Sequence, residues 1–456
     1  MKKTKIVIAG GGFAGLTAAT YLDKGLARRE DIEVVLISRE NFILFTPMLH
    51  EVAAGDLSPS DIINPLRRIL RRVKIVQADV QAIDPNARRL LCSGGVAQID
   101  FEMEFDHLLL ALGSETNFFD LPGLRDWAVT MKSLSDAALL RNRVIALLEE
   151  ANLQEDPTIR RQLLTFAIAG AGFSGVETAG ALNDFVREAA AYYPDLGEEL
   201  VRVVLVHPGQ FVLPELGEEL GNYAERKLRQ RGVEVIGSVR VEAYNDGSLV
   251  RLSDSNSIAA ATLIWTAGVK SSPVIASLPI RKERGRVLVS EFLSVPGVAG
   301  LWAAGDCAAV PDRTAGNFHP PTAQHGLRQG IVAAKNIEAE ILGRPPKAFA
   351  FKTLGQLASI GHQTGVAMVF GIKFSGFIAW WLWRTVYLLK LPRLAKRLRV
   401  ISGWTLNLLF SRDIEQMITL RDVEDLASRM TRIRERVEQE RSRHAGSAAE
   451  PQVSHH

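Results

Sequence analysis

Two glycine triplets carry the first chemical signal in this chain. Gly10, Gly12 and Gly15 fall in G-x-G-x-x-G spacing, and Gly170, Gly172 and Gly175 repeat it within Gly170-Ala171-Gly172-Phe173-Ser174-Gly175. The spacing suits a phosphate group. The first glycine permits a tight turn and the second lets backbone approach a pyrophosphate. The third lets helix and strand pack closely, so that free N–H groups at the helix N-terminus point at the ligand. One such triplet is a weak signal, because glycine-rich turns are often only turns. Two of them, each between an apolar run and a helical run, imply two nucleotide sites. A third block, Leu301-Trp302-Ala303-Ala304-Gly305-Asp306-Cys307-Ala308, delivers an acid that reads either as a helix cap or as a partner for the ribityl chain of a flavin. Glu177, in the first turn of the second glycine-led helix, reads either as a charge favoured by the helix dipole or as a group that titrates in a reaction.

The elements that must hold these residues can be traced in order. Lys5–Ala9 is a short Ile/Val-rich strand of the kind a buried parallel sheet requires, and Leu16–Leu22 is the helix after the first turn. Glu33–Ile37 is a second strand, ending in Ser38-Arg39-Glu40. In many dinucleotide folds an acid here holds ribose hydroxyls; Glu40 lies two positions late and reads equally as a solvated loop charge. The apolar stretch Asn41–Leu49 reads as core packing or as a wall for a flat ring system. Asp61–Arg72 is expected as a basic amphipathic helix, with a strand over Val73–Ala78 and a small antiparallel insertion over 86–105. Phe105–Ala111 is a buried strand ending in Gly113, and Pro122-Gly123 marks a boundary. A helix over Ser133–Asn152 and a strand over Leu163–Ala169 precede the second turn, and the helix Val176–Ala190 follows it. The strand Val201–Val206 ends at His207-Pro208, again without an acid, with His207 read as a loop residue. Leu263–Gly268 repeats the strand pattern of Leu108–Gly113.

Bulk properties narrow the function classes. With 456 residues and 47% hydrophobic content, several sizeable cores can form, about three domains by length. A formal charge of only +3 argues against nucleic-acid binding through overall charge. Cys92 and Cys307, far apart in sequence, exclude a disulfide scaffold, a Cys-rich metal site and a C-x-x-C redox pair. Met1-Lys2-Lys3 leads directly into a strand, with no apolar secretory segment, so the body of the protein is expected in the cytoplasm.

The composition shifts after Pro345-Pro346. Gly371–Arg412 carries eight basic residues and no acid, together with Trp380, Trp381, Trp383 and Trp404. Phe374–Leu391 is apolar nearly all round, but Arg384 interrupts it and Pro392 ends it, leaving an uncharged part too short to span a membrane. Arg393–Phe410 places Leu394, Leu398, Ile401, Thr405 and Leu408 on one helical face. Aromatic and basic residues on amphipathic helices suit an anionic membrane surface. The alternative is a helical pair packed on the body or used for dimerisation. From about Glu424 the chain is highly charged, first as a helix and then as a disordered tail from about Ala445.

The three blocks together resemble the flavoproteins with two dinucleotide-binding domains. From about residue 5 to about residue 420 the chain closely resembles the type II NADH:quinone oxidoreductases within that superfamily. The more specific matches are Phe45-Thr46-Pro47-Met48-Leu49, Gly175-Val176-Glu177 with Ala179-Gly180, Trp265-Thr266-Ala267-Gly268-Val269-Lys270, and Pro321-Thr322-Ala323-Gln324. The resemblance implies an α/β fold of two Rossmann-like three-layer domains plus a C-terminal membrane-binding helical region. The FAD domain would be discontinuous over 1–120 and 285–345, with the NAD(P)H domain over 121–284. The membrane region would span 346–423 and the charged helix and tail 424–456. It implies non-covalent FAD held by Gly10, Gly12, Phe13, Ala14, Gly15, Arg39, Thr46, Pro47, Gly113, Gly305, Asp306, Ala323 and Gln324. NAD(P)H would lie on Gly170, Gly172, Phe173, Ser174, Gly175, Glu177, Ala267 and Gly268.

The resemblance further implies a quinone near Gln324, His325, Arg328, Tyr387 and Lys390. Glu177 and Gln324 would be catalytic, one titrating and the other donating a hydrogen bond to a quinone oxygen. His325 reads as a proton donor or as a structural histidine. The family's A-Q-x-A-x-Q motif is met at Ala323 and Gln324, whereas Gly326 and Arg328 replace its second Ala and second Gln, with Gln329 one position late. Ser38 stands where an acid is often found. The expected activity is electron transfer from NADH to a membrane quinone without proton pumping, by a peripheral enzyme on the cytoplasmic side of the inner (cell) membrane, possible as a homodimer. Disulfide reductases and sulfide:quinone reductases need cysteines that this chain lacks. A flavoprotein redox sensor, or a reductase of another acceptor, stays as the alternative.

Overall fold

The computed structural model describes residues 3–313 and 316–416. Residues 417–423 and the charged helix and tail expected over 424–456 lie outside them.

Two parallel sheets organise the chain. In the first, the strands run in the order Leu301–Ala303, His107–Leu110, Thr4–Ala9, Ile32–Ser38, Lys74–Asp84, all parallel, and two antiparallel strands, Arg89–Gly94 and Ile99–Glu104, extend that edge. The antiparallel pair is the insertion expected over 86–105. Ile6, Val7 and Ile8 are completely buried, as a central strand covered on both faces demands, and each such side chain contributes about 1.5–3 kcal/mol. The second sheet repeats the plan with parallel strands in the order Val129–Thr130, Thr262–Trp265, Thr165–Ala169, Arg202–Val206, Val233–Ile236. In both sheets the strand preceding the glycine turn is flanked by the strand that follows it and by a later one. The order therefore reverses at that strand, and a crevice opens at its C-terminal end.

The helices follow their local signals. Leu134–Leu153 begins with a reciprocal capping box between Ser133 and Asp136. Gly376–Lys390 stops before Leu391 and Pro392. The helix expected over Asp61–Arg72 is instead a single turn, Leu66–Ile69, because Ile63–Pro65 is drawn into an antiparallel pair with Phe42–Leu44. A three-stranded antiparallel sheet, Gly355–Ser359, Gly365–Val369 and Ile372–Ser375, leads into the C-terminal helices Gly376–Lys390 and Leu394–Leu406. These helices close the core rather than hang from it: Trp383, Leu391, Val400 and Trp404 belong to the same buried cluster as Phe45 and Phe166. No helix among the described residues is long and apolar enough to cross a membrane.

Candidate active site

The first glycine turn fits a pyrophosphate. Gly10 has φ +113°, and a Cβ there would lie 2.2 Å from the Ala111 carbonyl oxygen; a Cβ on Gly15 would lie 1.8 Å from that of Gly10. Packing alone dictates those two glycines. A Cβ on Gly12, in contrast, would meet no atom of the described residues within 4 Å, and the helix Phe13–Lys24 that starts there has no side-chain cap among them. Open space in front of uncapped N–H groups is what a phosphate needs. The second turn has the same design. Gly170 has φ +103° against Ala267, Gly175 is pressed onto Gly170 and Thr266, and Gly172 faces open space at the uncapped start of Phe173–Ala190. Ser174 is exposed on that first turn and Phe173 half-buried, while Gly268 packs against Phe119.

Gly305 and Asp306 arrive at the same crevice from the strand Leu301–Ala303, beside the first turn: a Cβ on Gly305 would touch that of Ala14 at 3.1 Å. They form a 3-10 turn rather than a helix start, so Asp306 caps nothing. Its carboxylate accepts from Ser114 Oγ at 3.1 Å, and Ser114 in turn accepts from Lys132 Nζ at 3.0 Å. Burial pushes the Asp306 carboxyl up and lowers the Lys132 ammonium. Gln329, one position late in the sequence motif, fixes the acidic turn, because its Oε1 accepts from the Gly305 N–H at 2.8 Å. Gly330 lets the helix Ala323–Ile341 approach the Phe13–Lys24 helix, since a Cβ would lie 2.1 Å from the Ala14 carbonyl oxygen. Arg39, expected at the cofactor, is exposed and pairs with Asp79 at 3.3 Å; Thr46 and Pro47 open the 3-10 turn before the helix Leu49–Ala53. Gly113 (φ +67°) faces open space next to Ser114.

Glu177 is the most perturbed carboxyl on the Phe173–Ala190 helix. It is 8% exposed, and its Oε1 accepts from Trp383 Nε1 at 2.8 Å and from the Ser359 N–H at 3.2 Å. Burial outweighs those two donors and raises its pKa to about 8, so at neutral pH it holds a proton. His50 Nδ1 lies 3.8 Å from Glu177 Oε2, and burial depresses that imidazole to about 3, leaving it neutral. An aromatic chain leads from here to the first glycine turn. Trp383 packs on Tyr387 at 4.9 Å, Tyr387 on Phe45 at 6.1 Å, and Phe45 on Phe13 at 6.1 Å. The stretch Asn41–Leu49 thus supplies both core packing, through Met48 and Leu49, and an aromatic face. Burial, and at alkaline pH the ionised Glu177, push the Tyr387 phenol above its ordinary value.

Four of the five expected quinone residues gather beside this chain. Gln324 opens the Ala323–Ile341 helix and donates Nε2 to the Gly355 carbonyl at 3.3 Å; Arg328 donates back to the Gln324 carbonyl at 2.9 Å and stacks on Phe351 at 4.0 Å. Lys390 lies over Tyr387 at 5.3 Å, its ammonium lowered by burial and then by the Arg328 charge. His325 shares the Phe351 ring with Arg328 but makes its hydrogen bond within its own turn. It pairs with Thr322 Oγ1 at 2.7 Å, packs between His319 and Phe351, and burial holds it neutral with a pKa of about 4. That environment supports its structural reading. Cys92 and Cys307 are both buried free thiols. His50, Glu51 and Lys132 escaped the sequence reading, and Trp383 and Trp404 were read only as part of the aromatic, basic C-terminal surface; His50 and Glu51 had a signal, as two polar residues directly after the apolar stretch.

Comparison with known proteins identifies the family. Residues 4–330 match the pyridine nucleotide-disulphide oxidoreductase family, and residues 354–413 match the NDH2 C-terminal domain. The type II NADH:quinone oxidoreductase Ndh of Mycobacterium tuberculosis is 31% identical over 435 residues, covering 92% of this chain and 91% of its own. That of Staphylococcus aureus is 30% identical over 378 residues, covering 82% and 92%. NDH2 from Plasmodium falciparum, solved in complex with NADH, shares the fold with a TM-score of 0.84 at 19% identity, covering 91% of this chain and 100% of that one. Relatedness along nearly the whole chain, joined to doubled glycine turns at two sheet switch points, makes this chain a member of the type II NADH:quinone oxidoreductases within the pyridine nucleotide-disulphide oxidoreductase family.

Proposed function

We propose that the chain takes electrons from NADH on its second sheet, uses FAD bound without a covalent link on its first, and reduces a membrane quinone without pumping protons. The domain assignment follows: 1–120 with 285–345 for FAD, 121–284 for NADH, and a C-terminal region from 346. The carrying observation is the position of Glu177. It sits on the helix that begins at the second turn, and it is buried against His50, from the segment after Phe45, and against Trp383 of the C-terminal helix. Three parts of the chain thus converge on one protonated carboxyl. FAD supplies the two-electron carrier. The chain's residues do the rest: the two uncapped helix starts bind phosphates, the Phe45–Tyr387–Trp383 wall excludes water, and Glu177 holds a proton for the product. Gln324 and Arg328 orient the quinone, beside Tyr387 and Lys390. Purified protein should be yellow, NADH should bleach it without air, and a soluble quinone analogue should restore the colour repeatedly. A protein that bleaches once and then ignores quinones would be a sensor or a reductase of another acceptor.

The acceptor resides in the bilayer, and the C-terminal surface suits that location. Half of the large apolar side chains exposed among the described residues fall within 370–410, including Phe370, Phe377, Trp381, Leu398 and Phe410. That concentration marks a contact surface rather than chance exposure. The basic residues divide. Arg384, Lys396 and Arg412 turn inward onto Trp404, the Ser60 carbonyl and Asp56, and Lys373 pairs with Glu219. Arg397 donates to the Leu389 and Leu391 carbonyls, so Lys390, Arg393 and Arg399 remain for anionic lipid, on the cytoplasmic face, at on the order of 1 kcal/mol each. Only Trp381 of the four tryptophans points outward, so the apolar term comes chiefly from aliphatic and Phe side chains. Full-length protein should therefore sediment with anionic vesicles, loosened but not released by high salt. Leu398→Glu combined with Phe410→Glu should leave it in the supernatant. Parent protein that stays in the supernatant at low salt would assign this face to a second copy of the chain.

A further inference from the structure

Glu51 and Glu177 are buried carboxyls on different helices, and each accepts one indole N–H from the C-terminal region. Trp404 Nε1 reaches Glu51 Oε2 at 2.9 Å, as Trp383 Nε1 reaches Glu177. Beside Glu51 lie two adjoining cavities, while Glu177 stands behind His50 and lines neither. The outer is an open polar cleft of about 440 Å³, lined by Asp56, Asp184, Glu188, Arg231, His362 and Arg412 among others. The inner is about 20 Å³ and touches His50, Glu51 and Ser359. It has room for one water, which needs about 10–15 Å³ by this measure. The two share Asp56, Asp184, His362, Arg384 and Arg412 as a common wall. His50 spans the last gap. Its Nδ1 faces Glu177 at 3.8 Å, and its Nε2 is buried with no hydrogen-bond partner among the described residues.

We propose that this cleft and the one-water cavity behind it are the proton inlet of the enzyme, with Glu51 as the carrier that resupplies Glu177 past the His50 ring. The proposal rests on the NADH:quinone reading above and adds to it the route by which the solvent proton enters. The balance requires such a route. NADH gives up one hydride, two electrons and one proton, as its C–H bond breaks; the quinone gains two electrons and forms two O–H bonds. One further proton must therefore come from water for each quinol made. The inlet uses no residue of either glycine turn, nor of the Gln324–Arg328–Lys390 group.

The charges around Glu51 suit a carrier that both takes and yields a proton near neutrality. It faces Arg384 from the Gly376–Lys390 helix, Arg412 from the segment after the Leu394–Leu406 helix, Asp56 and His50 from its own segment, and Glu177 from the Phe173–Ala190 helix. Burial raises it and Arg384 opposes that rise, for a pKa of about 7. Arg384 is held between Trp380 at 4.1 Å and Trp404 at 4.4 Å, which fixes its charge beside the common wall.

The test is a single-turnover measurement on the full-length, FAD-loaded enzyme, in weak buffer with a pH-indicator dye, comparing the parent with Glu51→Gln and Glu51→Asp. Bleaching by NADH alone is recorded first; its failure in the parent would count against the NADH reading and not against the inlet. In Glu51→Gln, which keeps an acceptor for Trp404, proton uptake and quinol formation should slow together by on the order of tenfold to a hundredfold. Their solvent isotope effect should rise, while bleaching by NADH keeps its rate. Glu51→Asp, still titratable, should recover part of the loss. A protonated-carboxyl band in the infrared difference spectrum on reduction should disappear in Glu51→Gln and persist in Glu51→Asp. Uptake at the parent rate in Glu51→Gln overturns the proposal. So does the reverse order, with Gln active and Asp slow, which would make Glu51 only the hydrogen-bond anchor of Trp404.

Discussion

Gly172→Val should give a protein as yellow as its parent that NADH no longer bleaches at ordinary concentrations. The substitution is chosen because the fold does not need this glycine. A Cβ at Gly172 meets no protein atom within 4 Å, and its φ of −72° with ψ of −174° is extended backbone that valine adopts readily. The added side chain instead fills the space before the uncapped N–H groups of Phe173–Ala190. Losing two charge-assisted hydrogen bonds to phosphate, at about 1.5–3 kcal/mol each, raises the half-saturating NADH concentration by on the order of a hundredfold or more. The first sheet has its own turn and its own core, so FAD should stay bound. Gly12→Val is the mirror experiment and should yield colourless protein by the same argument. Bleaching of Gly172→Val at an unchanged NADH concentration would remove the second turn from the nucleotide site.

The sequence makes the two turns, their strands and their helices legible, because each is a local pattern with a single structural solution. A short Ile/Val run, a glycine that needs φ above zero and an apolar helix face fit together in one way. What escaped it depends on partners distant in the chain. Trp380, Trp381, Trp383 and Trp404 are indistinguishable by composition, yet only Trp381 faces outward; Trp383 and Trp404 carry the N–H groups that hold two buried carboxyls. The spacing of Trp380, Trp383 and Tyr387 does mark one helical face, but periodicity cannot say whether that face meets protein or lipid. The Leu394–Leu406 helix illustrates the same limit. Its Leu394, Leu398 and Ile401 face is exposed, while Lys396, Val400 and Trp404 form the buried side. A basic residue facing inward runs against composition; the Ser60 carbonyl that accepts from Lys396 explains it.

The same blindness affects the motifs. Replacing the second Gln of the quinone motif by Arg328 reads as a departure, whereas Gln329, one residue on, binds the Gly305 backbone from the other side of the helix. The two neighbours point in directions about 100° apart, so a shift of one position changes which part of the structure a side chain meets. Asp61–Arg72 fails for a different reason. Its helical periodicity is real, but Pro65 and the pairing of Ile63–Pro65 with Phe42–Leu44 take the first half into a sheet.

Glu177→Gln should separate proton delivery from structure, and the pH dependence of stability gives the cleaner reading. The folded protein holds the Glu177 carboxyl at about 8 against an ordinary value of 4.5, because burial penalises the anion. Below 4.5 both folded and unfolded chains are protonated, and the contribution is fully present. Between 4.5 and about 8 the unfolded chain has released a proton that the folded one keeps. Stability therefore falls as pH rises through that window, by up to about 1.4 kcal/mol per pH unit from one group. Glu51 acts in the same direction, but only up to about 7, and His50, depressed to about 3, acts below its ordinary 6.5 in the opposite direction. From pH 7 to pH 8 Glu177, the higher of the two raised carboxyls, carries the larger share of the slope and Glu51 the rest. Glutamine keeps an acceptor for Trp383 and the Ser359 N–H and cannot titrate, so the denaturation midpoint of the variant should be flatter with pH in that interval. Quinol formation should drop by about 10²–10⁴, the usual range for losing a placed proton donor. The parent's decline in turnover through pH 8, as Glu177 loses its proton, should vanish from what remains. A variant with the parent's slope between pH 7 and pH 8 would mean that Glu177 is ionised in the folded protein. The Trp383 hydrogen bond would then be anchoring a charge and would hold no proton for the quinone.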